Sequence, residues 1–163
     1  MRPTSLISGT FAVLAVVLVA AVPATAAGPQ LSRTERAILR KVDRQRAGHG
    51  LHAVRSSRAL ARAADAHSRE MLSANYFAHS SRNGGSFATR IHRFAHARKV
   101  GETLAMLSRC GRHSARWVVS MWMHSPVHRA VLLTGGFHRV GIALRRGRLG
   151  GRRACMVTAD FAN

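Results

Sequence analysis

Two strand-like runs near the C-terminus, Val140 to Leu144 and Ala154 to Phe161, are separated by the glycine-rich segment Gly147 to Gly151. Runs of that kind on either side of a turn pair as a hairpin. The earlier part of the chain reads mainly as helix. Ser32-Arg33-Thr34-Glu35 has the form of a capping box, so a helix is expected from there to about Arg46. Its inner side carries Ala37, Ile38 and Val42, and Gly48 and Gly50 end it. Ser56 or Ser57 caps a second helix to about Ala74, with Leu60, Ala63, Ala64, His67 and Met71 on one face. Ser86 caps a short helix holding Phe87, Arg90 and Ile91, and Val100 to Leu107 reads as a strand. Ser114 opens a helix whose stripe of Trp117, Val118, Met121 and Trp122 is expected to be core. Ser125-Pro126 starts a further helical turn, with serine as the N-cap and proline at the first helical position. Helices early and paired strands late give an α+β class with a mostly antiparallel sheet.

The N-terminus points to export. Arg2, the apolar run Phe11 to Val22 and the small residues Ala24-Thr25-Ala26 have the charge, length and ending of a signal peptide. The run is shorter than the roughly 20 apolar residues of a comfortable membrane span. An uncleaved anchor is the other reading. The expected organisation is a signal peptide over 1–26, a linker over 27–34 and one domain over 35–163, with no transmembrane segment left after cleavage. Two cysteines, Cys110 and Cys155, in an exported chain favour a disulfide, and two free buried thiols are the alternative. A bridge closing that loop is worth roughly 4 kcal/mol by chain entropy.

The formal net charge is +20, with Lys41 and Lys99 the only lysines among the 26 cations. Such a surface attracts anionic polymers or anionic lipid. The arginines are scattered, and no aromatic residues alternate with them as a nucleic-acid reader requires, so no specific nucleic-acid role is expected.

Seven segments in order carry a family resemblance. They are Val42-Asp43-x-x-Arg46 with Gly50-Leu51, Leu60-x-x-Ala63-Ala64-x-x-His67-Ser68-x-x-Met71, and Tyr76-Phe77-Ala78-His79-Ser80. Then come Gly85-Ser86-Phe87-x-x-Arg90-Ile91 and Gly101-Glu102-Thr103-Leu104-Ala105. The last two are Trp122-Met123-x-Ser125-Pro126-x-His128-Arg129 and Phe137-x-Arg139-Val140-Gly141-Ile142-Ala143. Together they resemble the bacterial members of the CAP superfamily (cysteine-rich secretory, antigen 5, pathogenesis-related-1; the SCP-like domain). The resemblance implies a three-layer α–β–α sandwich and a cleft with two histidines and usually two acidic residues. By motif these fall on His79, Glu102 and His128. The second acidic residue of the family lies on the helix carrying Trp122, and this chain has no acidic residue between Glu102 and Asp160. Thr103 stands where the family usually has asparagine.

Two imidazoles and a carboxylate form an open ligand set for a divalent metal, zinc being the candidate cofactor in a weak site. The same trio can instead be a hydrogen-bonded cluster without metal. His124 is the candidate fourth ligand. His67 is expected to be a satisfied core histidine, and His49, His52, His92, His96, His113 and His138 to be surface residues. Ser125 near His128 is explained by its N-cap role rather than as a nucleophile. Two functions follow: a secreted, non-enzymatic, monomeric binding module for an anionic envelope polymer or lipid, and a zinc-dependent hydrolase of peptidase type using the same cleft. A cationic membrane-lytic factor is a third, disfavoured because no exposed basic amphipathic helix is evident.

Overall fold

The computed structural model describes residues 30–163. The expected signal peptide and the start of the linker lie outside those residues. The elements are α1 (Arg33–Ala47), β1 (Arg55–Ser56), α2 (Arg58–Ser73), α3 (Phe87–His92), β2 (Val100–Leu107), α4 (Ser114–His124), α5 (Pro126–Leu132), β3 (Arg139–Leu149) and β4 (Arg152–Ala162). The strands form one sheet in the order β1-β3-β4-β2. Helices cover both faces, giving the α–β–α sandwich.

The sheet is mixed. β3 pairs antiparallel with β4, and β4 with β2, but β1 runs parallel to β3 through Arg55↔Arg139 and Ser56↔Val140. A two-residue strand has no periodicity to read, which is why β1 escapes the sequence. The hairpin is also longer than expected. Gly147 is not in the turn but in the ladder, opposite Ala154. Leu72 packs where a Gly147 Cβ would sit, 3.0 Å from its Cδ2. The turn is Gly150-Gly151 alone, with φ of 54° and 76°, the conformation a two-residue hairpin loop demands.

Side chains alternate across the sheet. One face presents Val140, Ile142 and Leu144 of β3, Val157, Ala159 and Phe161 of β4 and Ala105 of β2, packed against Ile38, Val42, Val118, Trp122 and Leu132 from α1, α4 and α5. The other face lies under α2. There Gly141 is obligatory: an added Cβ would meet Leu60 C and Ala61 N at 2.0 Å, so α2 rides on bare backbone.

The caps behave largely as the sequence implies. Glu35 closes the capping box by accepting from Ser32 N at 2.6 Å, and its second oxygen accepts from Leu144 N of β3 at 2.9 Å. Ser57 and Ser86 cap α2 and α3. Ser125 holds the N-cap position of α5 without a side-chain capping bond, so Pro126 at the first helical position does the starting. Trp117 departs from expectation. It is 63% exposed and Met121 is 41% exposed, whereas Trp122 is fully buried. The inward stripe of α4 is Ala115, Val118, Val119 and Trp122, which leaves Trp117 on the outer side.

Arg46 is buried without a carboxylate. Its guanidinium donates to the carbonyls of His52 (2.8 Å), Leu132 (2.7 Å), Thr134 (3.0 Å) and Phe137 (3.1 Å), tying α1 to the end of α5.

Candidate functional site

Glu102 lies on β2, an edge strand, with its side chain on the α2 face and fully buried. A buried carboxylate needs partners. One is His79, which follows α2 in the chain. Its Nδ1–H donates to Glu102 Oε1 at 2.8 Å, and its side chain is 43% exposed. That bond fixes the tautomer, since a carboxylate only accepts, and leaves Nε2 as the free ring nitrogen. The other partner is Arg90 of α3, whose Nη2 is ion-paired with Glu102 Oε2. Arg90 Nη1 also donates to His79 O at 3.3 Å and Ser81 Oγ at 3.0 Å. The arginine therefore holds the histidine's backbone and its carboxylate partner together.

His128 on α5 completes the cleft, its ring centroid 5.7 Å from that of His79. Burial first, and then the neighbouring His79, lower its pKa below the ordinary imidazole value. His67 is fully buried on α2, with Nε2–H donating to Ala78 O at 2.9 Å and lying 4.0 Å from Glu102 Oε2. Burial lowers its pKa, so the neutral form is favoured.

Directly across the ladder from Glu102 sits Asp160 of β4. It is fully buried, and neither oxygen has a hydrogen-bond partner among the described residues. Burial, reinforced by the charge of Glu102, raises its pKa well above the ordinary carboxylate value, which favours the neutral acid. Thr103 points to the opposite, apolar face; it is buried and its hydroxyl has no partner among the described residues.

The structure thus brings His79, Glu102 and His128 to one cleft. It does not bring His124 there: that ring is exposed at the end of α4 and donates from Nδ1 to Ser120 O at 2.7 Å. His67 is the core histidine expected, bonded through Nε2 but with no hydrogen-bond partner for Nδ1 among the described residues, and the six other histidines expected at the surface are all exposed. Arg90 and Asp160 were missed. Their signals were an arginine one residue before Ile91 in a short helix, and a carboxylate inside an otherwise apolar strand. Both oxygens of Glu102 are engaged, so the two imidazoles are the donors left for a metal. Among the described residues no group of three or more His, Cys, Asp or Glu side chains is arranged to hold one. Cys110 and Cys155 are bridged, with Cα atoms 5.7 Å apart.

Residues 39–161 match the sequence profile of the cysteine-rich secretory protein (CAP) family. The chain belongs to that family. The CAP domain is 29% identical over 119 residues to the uncharacterized protein YkwD of Bacillus subtilis, an alignment covering 72% of this chain and 45% of YkwD. Its fold is similar to that of an outer surface protein of Borrelia burgdorferi, with a TM-score of 0.66 at 16% identity, covering 83% of this chain and 98% of that one. An extracellular protein containing a SCP domain from Bacillus anthracis matches with a TM-score of 0.63 at 22% identity, over 83% of this chain and 45% of that one. The CAP domain thus spans less than half the length of YkwD and of the B. anthracis protein.

Proposed function

We propose that this CAP domain is a secreted, non-enzymatic binding module for an anionic envelope polymer or lipid, with the His79–His128 cleft as a contact point. The observation that carries this reading is the use made of acidic residues. The chain has six, and the protein itself engages or buries every one. Glu35 is bound to Ser32 and Leu144, Asp43 to Val54 N, Asp65 to Arg69 and Arg145, Glu70 to Arg82 N, and Glu102 to His79 and Arg90, while Asp160 is sealed inside. The exterior is left strongly cationic, which favours anionic partners. Glu102 is committed to its pairs, which argues against its acting as a general base. Among the described residues no helix is long and apolar enough to cross a membrane. The test is retention of the purified protein on envelope fractions and anionic vesicles at low and high salt. Retention that weakens in His79→Ala/His128→Ala supports the cleft as a contact. Absence of retention even at low salt sinks the binding reading.

A second reading, a zinc-dependent hydrolase, is favoured by one observation: Glu102 orients His79 as an outer partner orients a metal-binding imidazole, and His128 lies across from it. Zinc there would activate water. Metal analysis after mild dialysis tests this. No bound zinc, with hydrolytic activity unchanged in His79→Ala and His128→Ala, eliminates it.

A further inference from the structure

Beyond the cleft, the tip of the β3–β4 hairpin is backed on its α2 side, where Leu72 packs against Gly147 and Asn75 Oδ1 accepts from Gly150 N at 2.6 Å. Arg146, Arg148 and Arg153 are exposed there. The register sets Arg148 directly opposite Arg153, and Arg146 opposite Cys155. Strand alternation therefore puts all three guanidiniums on the face of Cys155. The Cys110–Cys155 bridge brings Arg109 alongside, and the four arginines line a groove of about 640 Å³. Among the described residues none of the four forms a salt bridge. Like charges directly opposite in a ladder are destabilising, and here the protein supplies no counter-charge.

We infer that this groove is a binding site for a phosphodiester polymer without aromatic bases, of the poly(glycerol phosphate) kind. The inference rests on the binding-module reading and gives it a location and a ligand chemistry. Guanidinium forks match phosphate oxygens in pairs. Same-face neighbours on a strand stand about 7 Å apart, and opposite residues about 5 Å, so several phosphates of one chain can be engaged at once. A nucleic acid fits less well, because no aromatic side chain lines the groove to stack a base. A bilayer fits less well, because the tip offers no exposed large apolar residue to insert.

The test uses the exported chain and fluorescent poly(glycerol phosphate) at about 0.1 M salt. Arg146→Gln/Arg148→Gln/Arg153→Gln is compared with Arg40→Gln/Arg44→Gln/Arg62→Gln, which removes the same charge from exposed helix positions. The groove variant is expected to bind roughly tenfold weaker or worse, with the log K against log salt slope reduced by about 3. The helix variant should lose less than about threefold. The melting temperature of the groove variant should change little, since relief of the Arg148–Arg153 repulsion offsets loss of the exposed Arg148 hydrogen bond to Gly151 O, and this separates lost binding from lost folding. Equal weakening in both variants overturns the groove while leaving the binding-module reading standing. Tighter binding of an oligothymidylate or of anionic vesicles through the same arginines keeps the groove and overturns its assignment to a base-free phosphodiester polymer. If the native chain binds polymer, oligonucleotide and vesicle alike not at all, both readings fall together.

Discussion

The two faces of the sheet are sealed by different chemistry. Under α1, α4 and α5 the interface is hydrocarbon: Ile142, Val157, Ala159 and Phe161 against Val42, Val118, Trp122 and Leu132. Under α2 and α3 the same strands mix apolar Leu104, Met156 and Ala162 with Glu102, Asp160 and Thr158, and the polar three meet Arg90, His67 and Ser68. An apolar face tolerates volume-conserving change. A buried polar network does not tolerate losing one member, because the partner is then orphaned in a low dielectric. The difference places the buried polar network on the α2 face, where it emerges at the β2 edge as His79, whereas the arginine groove lies at the hairpin tip on the opposite, Cys155 face.

The largest effect is expected at Gly141. Gly141→Val pushes side-chain atoms into the α2 backbone, and a loss on the order of 5 kcal/mol is expected, enough to leave little folded protein. Recovery of folded protein with native circular dichroism would show that α2 can lift without the sheet failing. On the apolar face the largest single loss is Trp122→Ala, about 4 kcal/mol by chemical denaturation. Part of it comes from the indole N–H that caps Leu104 O of the edge strand at 2.8 Å. A loss under about 1 kcal/mol would mean that this face is loosely packed.

Much of this was legible in the sequence, because local rules govern it. Ser32 and Glu35 announced α1, and the spacing from Leu60 to Met71 announced the buried side of α2. The cleft trio came through family resemblance and could not have come from spacing, since His79, Glu102 and His128 lie on separate segments. Arg90 and Asp160 needed the register: nothing local says that position 160 faces position 102 across a ladder. Trp117 misled because two tryptophans five residues apart look like one stripe, yet five residues is half a turn off a shared helix face.

Asp160 sets the polar face apart through pH. Its folded-state pKa is raised, so the folded protein keeps a proton that the unfolded chain releases near the ordinary carboxylate value. Between that value and the raised one, folding binds more protons, and stability falls as pH rises. Asp160→Asn abolishes this slope. Its melting temperature is expected to exceed that of the native chain at pH 8, with the gain disappearing below about pH 4. His67 and His128 act in the opposite sense: their lowered pKa values mean stability lost as pH falls below about 6.5. An Asp160→Asn variant equally destabilised at pH 4 and pH 8 would show that the carboxyl is held by contacts rather than merely sealed in.

The smallest effect compares one substitution on both faces. Thr158 shares a hydrogen bond with Ser68 at 2.8 Å, both buried beneath α2. Thr158→Val orphans the serine hydroxyl and should cost about 1–2 kcal/mol. Adding Ser68→Ala should recover part of that, as a coupling of about 1 kcal/mol in a double-mutant cycle. Thr103 is equally buried on the hydrocarbon face, and its hydroxyl has no partner to lose among the described residues. There the hydroxyl's desolvation is uncompensated, so Thr103→Val should leave stability unchanged or raise it by up to about 1 kcal/mol. Opposite signs for the same chemical change, measured by urea denaturation, follow only if polarity is structural on one face and incidental on the other. A similar loss at both positions would erase that distinction.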